Sequence, residues 1–331
     1  MKRLLLTAIL TVPLCFAQAT PANTAEVVRL DPGLDALVSP TAAIEKVASG
    51  FKYVEAPLWR PSGVLWFSDL VGDIVYQWSP DGKVTEILNP GGHDPGESPQ
   101  GLYIGPNGLV NGPNNTVILC QHGSRRIVSL TPDMKMTTLV DRYEGKRLNS
   151  PNDLVYAPDG ALYFTDLPYG LPKQNDDPAK ELKFNAVFRY AKGKLETVVT
   201  DIPVPNGIGF SPDYQTLYVS NSQSNHRTLM RCDVAGAGSV SNCRLFADLS
   251  SSPERGVPDG MKIDSLGNVY TAGPGGIWVF SPDGKHLGTF RTPEKPSNCT
   301  WGDDGKTLYI TAVTSVYRIH LKVAGEKALY D

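Results

Sequence analysis

The sequence predicts an all-β fold, a six-bladed β-propeller, and three observations predict it. Short strings such as Val64-Leu65-Trp66-Phe67, Leu162-Tyr163-Phe164 and Leu217-Tyr218-Val219 are rich in β-branched and aromatic residues and sit between turn signals. That is the pattern of strands, and helical periodicity is almost absent. The 32 Gly and 27 Pro are spread along the 331 residues as regular punctuation. One short motif also returns six times, at steps of 39 to 54 residues. A period of this length with about four strands per unit marks a propeller, because one blade cannot bury both faces of its sheet.

From the amino terminus, Met1-Lys2-Arg3, the apolar run Leu4 to Phe16 and the small-x-small pattern Ala17-Gln18-Ala19 read as a secretory signal spanning 1–19. The run is too short to cross a bilayer. Its removal takes away Lys2 and Arg3 and no acid, moving the formal charge from −3 to −5. A mildly acidic mature chain argues against a nucleic-acid partner. With no later long apolar run, the remaining 20–331 read as one exported domain, periplasmic or secreted, with no membrane association after cleavage and a monomeric or simple homodimeric state. Ile44 to Ala48 precedes the first repeat and is expected to return to the last blade and close the ring. The segments Asn89 to Gly101 and Leu171 to Phe184 are too polar for blade strands and read as loops over one end. Cys232 and Cys243 flank a Gly/Ser-rich turn, as facing positions of a hairpin would, and a disulfide is expected between them in an exported protein. Cys120 and Cys299 read as buried free thiols.

The six copies are Glu55-Ala56-Pro57, Asn107-Gly108-Leu109, Asn152-Asp153-Leu154, Asn206-Gly207-Ile208, Asp259-Gly260-Met261 and Asn298-Cys299-Thr300. The middle four follow Pro106, Pro151, Pro205 and Pro258. The first strand of a propeller blade lines the axis, so the first residue of each copy should point at one shared spot. Two carboxylates and four amides converging there are costly unless something satisfies them. A hard divalent cation does so, Ca²⁺ best, with Mg²⁺ or Mn²⁺ as alternatives and the softer Zn²⁺ left open. A plainer reading stands beside this one, since Pro-Asn-Gly and Pro-Asp-Gly are common turn sequences. Two facts favour the axial reading: the copies share one phase of the repeat, and the copy lacking Asn or Asp carries Glu, a poor turn former and a good ligand.

These residues also carry a resemblance. Over most of its length the chain resembles the gluconolactonase/regucalcin family of six-bladed propellers. The likeness is carried by Glu55-Ala56-Pro57-Leu58-Trp59, Gln121-His122-Gly123-Ser124-Arg125-Arg126, Arg147 to Leu171 and Pro258-Asp259-Gly260. The resemblance implies one catalytic divalent metal held by Glu55, Asn152, Asn206 and Asp259, with Asn152 either a ligand or nearer the substrate. The family's usual Glu-Gly-Pro appears here as Glu55-Ala56-Pro57. It implies hydrolysis of a small-molecule lactone such as gluconolactone. Asp259 is the first candidate base and His122 the second. Asn107, Arg125, Asp166 and Asn298 are expected at the substrate, with a turn role equally open for Asp166. The same site could serve an organophosphate or aryl-ester hydrolase, and a binding propeller stapled by its metal is a non-enzymatic alternative. No Gly-x-Ser-x-Gly elbow or His-Glu-x-x-His motif occurs, and Gly273-Pro274-Gly275-Gly276 lacks a following helix to bind phosphate.

Overall fold

The computed structural model describes residues 24–327, 329 and 330, so the 1–19 leader read from the sequence lies outside the described residues. Six antiparallel sheets form the blades of a ring. Their inner strands are Val54–Arg60, Pro106–Asn111, Pro151–Tyr156, Pro205–Phe210, Met261–Ile263 and Pro296–Gly302. Each is followed by a second strand, of which Val64–Asp69, Leu162–Asp166 and Thr216–Asn221 bear on the site. The ring is closed by Glu45–Ser49, which pairs with Ser315–His320 as the outer strand of blade six. That is one residue later than the sequence suggests. A strand the sequence does not announce, Glu26–Arg29, adds a fifth member to blade five by pairing with His286–Arg291.

The core is not central. Six apolar clusters lie between neighbouring blades, one for each junction of the ring. Phe67 and Tyr309, for instance, are fully buried where blade one meets blade six. Burying a side chain such as Phe67 stabilises by about 2–3 kcal/mol, and each blade can do so only against its neighbours. Cys232 and Cys243 are joined in a disulfide across the long outer hairpin of blade four, and Cys120 and Cys299 are free and buried. No helix among the described residues is long and apolar enough to cross a membrane.

Candidate metal centre and active site

Pro-Asn-Gly turns out to be strand and not turn. In blades two, three and four the pairing of inner with second strand shifts register at the motif, between Pro106 and Leu109, Pro151 and Leu154, and Pro205 and Ile208. Blade one shifts between Glu55 and Leu58. Such a bulge re-aims side chains locally. Here it coincides with Glu55, Asn107, Asn152 and Asn206, all of which line one cavity. The glycines that follow serve close approach: a Cβ on Gly108 would stand 2.5 Å from the Asn152 carbonyl oxygen, and one on Gly207 2.2 Å from that of Asp259. Glu55 is followed instead by Ala56, whose φ of 44° lies in the left-handed region.

Hydroxyls stitch these starts together. Ser68 Oγ donates to the Asn107 carbonyl at 2.7 Å, Thr165 Oγ1 to that of Asn206 at 2.7 Å and Ser220 Oγ to that of Asp259 at 2.8 Å. Each comes from the second strand of one blade and holds the axial residue of the next. Asp69, Asp166 and Asn221 end those strands and accept backbone N–H bonds from Tyr53, Ser150 and Val204, just upstream of the axial residues.

The cavity measures about 440 Å³ and is lined by Glu55, Asn107, His122, Asn152, Asn206 and Asp259, so six residues singled out in the sequence meet there. Three others singled out do not line it. Arg125 is turned away, donating to the carbonyls of Leu148, Asn149 and Ala179. Asp166 is buried and accepts from the backbone of Asn149 and Ser150, both at 2.8 Å. Asn298 lies behind Glu55, donating through Nδ2 to its Oε2 at 3.1 Å. For these three the structure replaces an expected substrate contact by support of the chain or of a neighbouring side chain. Their motifs carried no sign of side-chain direction.

Residues the repeat did not flag complete the lining, notably Tyr53, Tyr103, Tyr169, Ser222 and Lys295. A signal for part of this set exists: Tyr53, Val204 and Val257 each stand two residues before an axial residue. Asp153, buried behind the axial residues, has an Oδ2 without a hydrogen-bond partner.

Burial, and then the charge of Asp259, raises the Glu55 carboxyl well above its usual range. Burial likewise pushes Asp259 up to about 6, with Lys295 opposing and Asp153 adding to the rise. Burial also drives the His122 imidazole down to about 4, leaving it neutral near pH 7. Its Nδ1 lies 3.2 Å from the Tyr103 carbonyl and its Nε2 3.1 Å from Asn107 Nδ2. Only one tautomer satisfies both contacts: Nδ1–H donates to the carbonyl and Nε2 accepts from the amide. His122 therefore fixes the orientation of Asn107.

Among the described residues no three His, Cys, Asp or Glu side chains form a metal-binding cluster. The candidate centre consists of two carboxylates and amide oxygens. It fits a hard cation all the same, because two buried carboxylates made costly by their surroundings and mutual repulsion are relieved by a divalent charge.

The SMP-30/Gluconolactonase/LRE-like region profile matches residues 53–314, from the cavity rim at Tyr53 to the last turn of blade six. The chain belongs to that family. A gluconolactonase of Zymomonas mobilis is 37% identical over 310 residues, covering 91% of this chain and 87% of its own. Among solved structures, a gluconolactonase from Xanthomonas campestris superposes with a TM-score of 0.77 at 32% identity, covering 89% of this chain and 94% of its own. A putative gluconolactonase reaches 0.79 at 30% identity, covering 91% and 100%. A regucalcin from Agrobacterium tumefaciens, described as calcium-binding, shares the fold at a TM-score of 0.68 and 18% identity, covering 88% and 98%.

Proposed function

We propose that this protein is a metal-dependent lactonase acting on a small sugar lactone. The observation that carries the proposal is the meeting of Glu55, Asn152, Asn206 and Asp259 in one buried cavity. It is supported by the likeness to a gluconolactonase over most of both chains. Those four residues would hold the cation, and Ca²⁺ suits their hard oxygens best. When bound it supplies a Lewis acid for the lactone carbonyl and for charge developing on that oxygen. Asp259 is the carboxylate placed to take a proton from the attacking water, because it faces the cavity. His122 is the weaker candidate base, because burial lowers its basicity and its Nε2 is engaged by Asn107. Its part is to hold that amide toward the substrate. Tyr53, Tyr103 and Tyr169 line the same cavity and would supply apolar surface for the C–H side of a sugar ring.

The disulfide between Cys232 and Cys243 and the leader-like 1–19 support export to the periplasm or medium. The test of the main reading is hydrolysis of glucono-δ-lactone before and after chelation, with Ca²⁺, Mg²⁺, Mn²⁺ and Zn²⁺ restored one at a time. Activity should vanish on chelation, return with a divalent ion and be absent in Asp259→Asn. Full activity in chelator would refute the metal-dependent reading.

A further inference from the structure

Lys295 brings a charge into the cavity that the reading above does not use. His122 is neutral, so among the described residues Lys295 is the one cationic side chain lining the cavity. It is half-buried, and its Nζ stands 5.5 Å from the ring centroid of Tyr53, on the cavity wall. No carboxylate among the described residues lies within ion-pair distance of it. Lys295 and Asp259 line the same cavity. Three N–H donors are thus held at the cavity with their hydrogen-bonding capacity unspent.

The position is fixed by the neighbouring residue. Glu294 accepts hydrogen bonds from Thr314 N and Thr314 Oγ1, both at 2.7 Å, from Tyr317 Oη at 2.9 Å and from Ser315 Oγ. The segment that carries Lys295 is therefore pinned to the opposite turn of blade six. A lysine built only for solubility needs no such clamp.

Charge decides what Lys295 can receive. A divalent cation between Glu55 and Asp259 brings that pair to neutrality. Asp153 lies behind the wall with the charge of Lys262 to offset it. The charge of Lys295 remains, so the loaded cavity is net positive. An anionic oxygen group on the substrate gains there what a hydroxyl does not.

We infer that Lys295 selects the charge class of the lactone, receiving a carboxylate or phosphate substituent on the sugar ring. This rests on the lactonase reading of the same cavity. The experiment compares kcat/KM on glucono-δ-lactone, on its 6-phosphate and on the corresponding lactone carrying a 6-carboxylate, for the native protein, Lys295→Met and Lys295→Arg. In the native protein one or both anionic lactones should exceed the neutral one by about tenfold or more, the value of one charge-assisted hydrogen bond. Lys295→Met should collapse that ratio, Lys295→Arg should keep most of it, and added salt should lower it. Whichever anionic lactone shows the advantage names the substituent. A native preference for the neutral lactone, or an equal loss on all three in Lys295→Met, overturns the inference. If the native protein opens no lactone, the lactonase reading fails, yet the role of Lys295 can still be tested by calorimetry. Glucarate, a dianion, should then bind the native protein about tenfold more tightly than Lys295→Met, and equal binding overturns the inference.

Discussion

The two ends of the propeller axis are made from the same inner strands, only two to four residues apart, and they differ in kind. At one end stand Glu55, Asn107, Asn152, Asn206 and Asp259 around a polar cavity. At the other, the same strands present Leu58, Leu109, Leu154, Ile208 and Ile263 to a smaller space of about 100 Å³, which Trp301, Glu326 and Lys327 also line. Beside this end Tyr330 meets Tyr156 edge-on with ring centroids 4.8 Å apart. The apolar end is what a strand bundle does to stabilise itself. The polar end is what it does at a cost, gathering carboxylates that burial opposes, and such a cost is the mark of a functional site. Substitutions at the two ends should therefore separate stability from chemistry.

The largest effects belong to the polar end. Glu55→Gln or Asp259→Asn should lower lactone hydrolysis on the order of 10³-fold or more, since each removes a charge from the cation site. The metal-free proteins should nevertheless unfold no earlier than the native one. Glu55 has a raised folded-state pKa, so its cost is absent below the unfolded value and grows as pH rises. Any thermal advantage of Glu55→Gln should grow with pH in the same direction, as melting of metal-free protein across pH 5 to 8 would show.

At the apolar end the pattern should invert. Leu154→Ala or Ile263→Ala, both at buried positions lining that space, should cost about 2–5 kcal/mol in denaturant unfolding. The cation affinity of the folded fraction should be nearly unchanged. A loss of affinity equal to that of Glu55→Gln would mean that the two ends are not separable.

A smaller effect tests the clamp beside Lys295. Burial raises the Glu294 carboxyl, but hydrogen bonds from Ser315, Thr314 and Tyr317 outweigh this and take it to about 2. Its contribution is present above the unfolded carboxylate range and is lost as pH falls through about 2. Glu294→Gln should cost about 1–2 kcal/mol near neutral pH, and the gap to native should narrow from pH 4.5 downward. A gap independent of pH would place its value elsewhere.

Ala56→Gly should be the mildest. Relief of a left-handed alanine offsets the lost buried methyl and the freer unfolded chain, so stability should change by less than about 1 kcal/mol in either direction. A larger loss would show that the methyl packs Glu55 into place.

The repeat made the blade number, the closing strand and the axial convergence legible, because each is set by spacing along one chain. The Gly after Asn was legible as a residue but not as a cause. Taken alone it suggests a turn, whereas it is needed so that one blade can approach the next. Arg125 and Asn298 face away from the expected substrate position because a motif records which residues are close, not which way they face, while Asp166 takes the backbone role that its motif left open. Tyr103 and Lys295 enter the cavity from connections between blades, which share no pattern. The outer strand Glu26–Arg29 was hidden because its burial is slight and its partner lies more than 250 residues away.

The central claim is that the strand starts form one cation site on which activity depends. The most direct test is a calorimetric titration of Ca²⁺ into metal-free protein, with lactone hydrolysis measured at each step. The account predicts one cation per chain at the cavity, activity rising in proportion to occupancy, and neither binding nor activity in Glu55→Gln. Activity that ignores occupancy, or undiminished binding in Glu55→Gln, would contradict it.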